Sequence, residues 1–157
     1  MAGDFFIFAL LTALAALLIA AAVTDLRSRI ISNRLNIVIA ALAPLYWLAC
    51  GIPAWPDMVL QIALGIGMFT LFAALFALRM MGGGDVKLLA AVALWFPWQA
   101  LAFLLLLMAV LGGVVTMATL IHHRMTRRLG QPEVPYGVAI SLAGLWLIGE
   151  RIINHFA

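Results

Sequence analysis

The chain has 157 residues, of which 67% are hydrophobic and only 10% charged, and its mean hydropathy is +1.19. A water-soluble domain carries roughly a quarter charged residues, so the composition excludes one and points to an all-α integral membrane protein. The net charge of +3 comes from basic residues scattered between long apolar runs, a pattern that sets membrane orientation rather than one that binds nucleic acid.

A spanning helix takes about 20 apolar residues, because a hydrocarbon core of about 30 Å is crossed at about 1.5 Å per residue. In chain order, such segments are expected at Phe5 to Val23, Leu35 to Cys50, Met58 to Leu78, Trp98 to Ile121 and Tyr136 to Ile153. The first lacks a basic n-region and is too long for a signal h-region, so it reads as a retained helix. Between the third and the next lies Val86 to Phe96, which at roughly 16 Å cannot cross the bilayer. Joined to its successor across Pro97 it would reach about 54 Å, too long for one pass. A turn at Trp95-Phe96-Pro97-Trp98, with both tryptophans at an interface, separates the two. The expected architecture is a single domain over residues 1–157: a six-helix transmembrane bundle whose short fourth helix starts below the membrane surface.

Arg27, Arg29 and Arg34 follow the first helix, Arg79 and Lys87 flank the glycines at 82–84, and Arg124, Arg127 and Arg128 follow the fifth helix. The positive-inside rule makes that side cytoplasmic and puts both termini outside, with Arg151 the one basic residue on the outer side.

The six acidic residues divide likewise: Asp4, Asp57 and Glu150 on the outer side, Asp25, Asp85 and Glu133 on the cytoplasmic side. An ionisable group at membrane depth costs several kcal/mol unless paired or hydrated, which makes each a functional candidate (roughly 3 kcal/mol on insertion scales). Asp25 closes the first helix, where the dipole disfavours an anion by a few tenths to about 1 kcal/mol. An ion pair with Arg27 or Arg29 is its simplest structural account. Asp85 reads as an N-cap of the fourth helix. Gly82, Gly83 and Gly84 exceed what a cap needs: they clear side chains from beside the carboxylate, allow positive φ, and let an extended peptide approach.

If Asp25 and Asp85 face one another, the two carboxylates share a proton and titrate as a unit. That state suits peptide hydrolysis, since the ionised member takes a proton from water while the protonated member donates to the developing oxyanion. No Ser/His/Asp or Cys/His set competes. His122, His123 and His155 fall in loop or tail, and adjacent His122 and His123 point apart on a helix, so a solvated basic loop is expected there rather than a metal site. Cys50 is the only cysteine, which leaves neither an internal disulfide nor a cysteine-rich zinc site. No metal or cofactor is expected.

"GGGDVKLLAA", with a Gly-x-Gly-Asp core at Gly82 to Asp85, resembles the second catalytic motif of the type IV prepilin peptidases, the GxGD class of membrane aspartyl proteases. "TDLRSRIISNRLN" is similar to that family's first motif, an aspartate followed by basic residues and Ile-Pro-Asn, and "PYGVAI" resembles its third, Pro-Tyr-Gly. The motifs keep the family's order along nearly the whole chain. The resemblance implies that Asp25 and Asp85 are the catalytic pair and that Gly82, Gly83 and Gly84 shape the substrate loop. Lys87, Asn33 and Pro135-Tyr136-Gly137 become supporting residues. It further implies a substrate with a short basic cytoplasmic leader, cut after a glycine just before an apolar helix, at the cytoplasmic face of the inner membrane.

Two departures stand out. Ser32 occupies the family's usual proline position. The loop between the first two helices is about a dozen residues and lacks the paired Cys-x-x-Cys insert associated with N-methylation. The chain thus resembles the minimal, peptidase-only members linked to tight-adherence (Flp-type) pili, and no methyltransferase activity is expected. Archaeal preflagellin peptidases share the catalytic logic and remain an alternative. A proton-coupled transporter would need a polar path reaching both faces, for which the outer halves of the helices offer little beyond Gln61, Thr12 and Gln99. In a purely structural subunit, the aspartates would only pair with arginines.

Overall fold

A computed structural model describes residues 2–126 and 135–156. Arg127, Arg128 and Glu133 lie outside the described residues. Within the described residues the fold is all-helical, with six α-helices: α1 (Ala2–Ser28), α2 (Asn33–Ala49), α3 (Val59–Ala77), α4 (Gly83–Ala93), α5 (Trp98–Thr126) and α6 (Tyr136–Phe156). A single π-helical turn, Ala54–Met58, leads into α3. Among the described residues, four segments are long and apolar enough to cross a membrane: Asp4–Ser28, Ala54–Ala77, Trp98–Ile121 and Tyr136–Asn154. The chain is a multi-pass membrane protein. Its 17-residue α2 and 11-residue α4 rise only about 25 and 16 Å.

Helix ends show why the chain turns where it does. Both α2 and α3 close in Schellman motifs, in which the residues after the cap return hydrogen bonds to the last free carbonyls. At the end of α2, Gly51 N–H donates to Leu48 and Ile52 N–H to Trp47, at 3.1 and 2.9 Å. At the end of α3, Arg79 N–H donates to Phe76 and Met80 N–H to Leu75, both at 2.9 Å. Gly51 takes the left-handed position in the first motif with φ of 66°, but Arg79 takes it in the second with φ of 57°. Positive φ therefore falls on Arg79 (and on Arg29, after α1) rather than on the glycines at 82–84, contrary to the sequence expectation.

Two further expectations are corrected. Asp85 is not the N-cap of α4: Gly82 is, in extended conformation, and Asp85 is the third helical residue. The reason is packing: Gly83 and Gly84 enter the first turn because a Cβ there would press on Phe76 and on Ile31, each at 3.2 Å, which outweighs the poor helix propensity of glycine. Trp95 is not an interfacial anchor. It is 1% exposed, its indole N–H donates to the Ile39 carbonyl at 3.0 Å, and its ring lies 5.1 Å from that of Tyr46. Of the two tryptophans in that turn, only Trp98 is exposed.

Helix α4 is buried on nearly every side, packed against α3, α2 and α6, while α1 packs on α6 and α2, and α5 on α6. Gly144 lets α6 ride close to α1, since a Cβ there would stand 2.8 Å from Leu18. Small residues are what permit such approach within a membrane, where packing rather than water exclusion joins helices. Side-chain donors tie α2 to α4 at both ends: Asn36 Nδ2 to the Gly84 carbonyl at 3.3 Å and Trp47 Nε1 to the Leu94 carbonyl at 2.7 Å.

Candidate active site

The N-terminus of α6 meets the last turn of α1. There the Val138 N–H donates to Asp25 Oδ2 at 3.1 Å, and Asp25 is 4% exposed. The end of its own helix disfavours the carboxylate, but the N-terminus of α6 offers free N–H groups and the positive end of a dipole. Arg29 also acts on it electrostatically. The tertiary partner of Asp25 is thus the start of α6, not the arginine ion pair that its position in the sequence suggests.

Asp85, 7% exposed, lies at the opposite end of its own helix, in the first turn of α4. From the third position of α4 it reaches back to the N-cap amide of Gly82, the carboxylate half of a capping box. The Gly137 N–H acts on both carboxylates, and the Asp25 charge is felt at Asp85. Two helix N-termini, those of α4 and α6, therefore converge on a pair of carboxylates. This arrangement stabilises negative charge that burial alone would penalise.

The glycines explain how the pair fits. A Cβ on Gly82 would lie 2.8 Å from Asp85 Oδ2, and a Cβ on Gly137 would lie 2.8 Å from Asp25 Oδ2. Each carboxylate thus fills the space that one glycine leaves empty. Gly84 serves the packing of the loop instead, because its missing side chain admits the Ile31 backbone, whose N and O would both stand 3.4 Å from a Cβ. Gly83 lies against the Phe76 ring. Of the three glycines, only Gly82 is exposed, so the open slot expected over 82–84 narrows to that residue.

The remaining expected residues divide between the two sides of α4. Pro135 is buried and leads into α6, Tyr136 packs its ring beside Gly112 of α5, and Gly137 sits at Asp25. Asn33 is the first residue of α2, whose N-cap is Ser32, the hydroxyl accepting from the Leu35 N–H at 3.3 Å. Ser32 therefore does locally what a proline there would do by rigidity. Lys87 donates to Asn33 Oδ1 at 2.8 Å, roughly 200° around α4 from Asp85, so neither side chain is brought to the carboxylates.

Sequence reasoning missed Asn36. It is 5% exposed and its amide holds the Gly84 carbonyl, one residue before Asp85. The available signal was an asparagine one turn beyond Asn33, entering an otherwise apolar run. Asn36→Ala is expected to destabilise the protein by about 1 kcal/mol, the usual worth of such a bond, seen as a lowered unfolding temperature in detergent. An unchanged temperature would mean that the bond contributes nothing.

Residues 12–117 match the type IV leader peptidase family. The chain belongs to that family. The matched stretch contains Asp25, Asp85 and the glycines at 82–84, and it ends before Gly137. Among curated relatives, the prepilin leader peptidase/N-methyltransferase of Stutzerimonas stutzeri is 32% identical over 106 residues, covering 65% of this chain and 35% of that protein. The proteins of the same name from Aeromonas salmonicida (strain A449) and Burkholderia pseudomallei (strain K96243) are 34% identical over 83 residues and 28% over 141. These cover 48% and 83% of this chain, and 26% and 43% of the relatives. The chain spans less than half the length of the relatives it matches. No solved structure matches it.

Proposed function

We propose that this leader peptidase family member is a membrane-embedded aspartyl endopeptidase that removes the leader of Flp-type prepilins, with Asp25 and Asp85 as its catalytic pair. The observation that carries the reading is the seating of both buried carboxylates at helix N-termini: the Val138 N–H donates to Asp25 Oδ2 at 3.1 Å, and the empty Cβ positions of Gly137 and Gly82 each lie 2.8 Å from one carboxylate. The ionised carboxylate takes a proton from water as the water oxygen attacks the scissile carbonyl carbon, and the protonated one donates to the carbonyl oxygen. When the tetrahedral intermediate collapses, the C–N bond breaks and the leaving nitrogen takes up a proton. A carboxyl-terminated leader and an amine-terminated pilin result, and no group other than the pair and water enters the balance.

Orientation follows from the basic residues. With Arg27, Arg29, Arg34, Arg79 and Lys87 on the side of the pair, that side is cytoplasmic, the termini lie outside, and the membrane is the inner one. A basic leader would then meet the site just before its apolar helix enters the bilayer. The short link from α1 to α2, residues 29–32, and the single Cys50 support a peptidase without methyl transfer, as one domain over residues 1–157. The pair buried where the end of α1 meets the starts of α4 and α6 favours hydrolysis over a transport path or a purely structural role, and a preflagellin-type precursor is the second substrate class the same site would take.

The test is incubation of a Flp-type prepilin and S-adenosylmethionine with membranes containing the full chain. The expected product is trimmed after the leader's glycine and carries no added methyl group at its new N-terminus. A precursor left at full length would overturn the assignment, and a methylated product would overturn its peptidase-only form.

A further inference from the structure

On the face of α4 turned away from Asp85, Lys87 is exposed and Ala90 and Leu94 are only partly covered by protein. Helices α2 and α3 both pack on α4, and between them runs an open groove of about 670 Å³. Its walls are apolar, with exposed Ile37 on α2 and Ile66 and Phe69 on α3. One end is polar, formed by Asn33 and Lys87.

We propose that this groove holds one acyl chain of an anionic phospholipid, with the lipid phosphate on Lys87. The polar end carries a cation whose Nζ spends one donor on Asn33 and keeps two for an acceptor oxygen. Among the described residues no carboxylate pairs with it. The length fits one leaflet: from Asn33 to Trp47 the groove follows α2 for about 21 Å. Half of a hydrocarbon core is about 15 Å, which leaves the remainder for the headgroup level. At its far end the groove is closed by the Trp47 indole, bonded to the Leu94 carbonyl. A second helix fits less well. A membrane-crossing helix of about 20 residues is about 30 Å long and would have to continue past Trp47, which lines the far end of the groove. The lipid completes a contact between α2 and α3 that the protein leaves open, and it gives bilayer charge a hold on the helix that carries Asp85.

The test uses the full chain purified in detergent and offered phosphatidylglycerol and phosphatidylcholine of matched acyl chains, with retained lipid counted by native mass spectrometry. Wild type is expected to prefer phosphatidylglycerol. Lys87→Met is expected to lower that preference about five-fold, the share of one lysine at an anionic surface. Ala40→Phe and Ile37→Trp, which fill the groove from α2, are expected to lower retention of both lipids, each being scored only where its thermal unfolding matches wild type. An unchanged preference in Lys87→Met, or unchanged retention in a folded groove-filling variant, would overturn the proposal. A photo-crosslinker at Ile66 that captures a pilin precursor instead of lipid would overturn it too, and would assign the groove to substrate.

Discussion

Asp25→Asn and Asp85→Asn are each expected to lower the rate of leader removal by about 10²- to 10⁴-fold, the range that a positioned acid or base contributes, while leaving the fold in place. The structural half of that expectation comes from the hydrogen bonds. An asparagine at position 25 still presents an oxygen to the Val138 N–H, and one at position 85 still presents an oxygen to the Gly82 amide. Because the pair shares one proton, each asparagine replaces a group of equal size without leaving a second charge unpaired, so unfolding temperatures should stay near the wild-type value. The chemical half follows from the division of labour, since an amide neither takes a proton from water nor donates one as an acid does. Because the two groups act as a unit, the double variant should be no slower than about the worse single one. Cleavage rates measured at equal abundance, beside thermal unfolding, separate these outcomes. A single variant that still cuts within a few-fold of wild type would return that aspartate to a helix-end role.

The six helices were legible because apolar length is a one-dimensional property. The shortness of α4 was legible because its 11 residues cannot reach across a bilayer. The site was legible only in part, and the missing part is tertiary. Asp25 meets Val138 across 113 positions of chain, and Asn36 meets Gly84 across 48. No local pattern reports such pairs. The start of α4 was misplaced because glycine reads as loop by propensity, whereas Gly83 and Gly84 were needed in the first turn for their lack of a side chain against Phe76 and Ile31. Trp95 was misread for a similar reason. A tryptophan beside a proline fits an interfacial turn, but here the Ile39 carbonyl accepts its indole N–H inside the bundle. Arg79 in the left-handed position shows the same principle at a helix end, with a conformation common for glycine taken by a residue whose charge also marks membrane orientation.

Gly137→Ala is expected to give a folded protein that cleaves about 10²-fold more slowly. Two consequences of one methyl group act in opposite directions. In a helix, alanine is favoured over glycine by about 1 kcal/mol, and position 137 lies in the first turn of α6 without positive φ, so the backbone accepts the change. The methyl, however, would stand 2.8 Å from Asp25 Oδ2 and 2.5 Å from Ile31 Cδ1, closer than van der Waals contact allows. Both atoms are ends of side chains, so the clash is relieved by turning them rather than by parting the helices. The group that turns is the carboxylate itself. A displacement of about 1 Å at a reacting group costs on the order of 10²-fold in rate, whereas the stability lost is limited to a rotated side chain and a weakened bond to Val138. Gly82→Ala should repeat the effect at Asp85, because its methyl would approach Oδ2 at the same 2.8 Å. Gly67→Ala is the control, since that position has no neighbour within 4 Å of an added Cβ and should keep the wild-type rate. Loss of rate at 137 together with a large fall in unfolding temperature would mean that the glycine only permits helix packing. Loss of rate with unfolding unchanged would mean that its empty Cβ position is where Asp25 is held for catalysis.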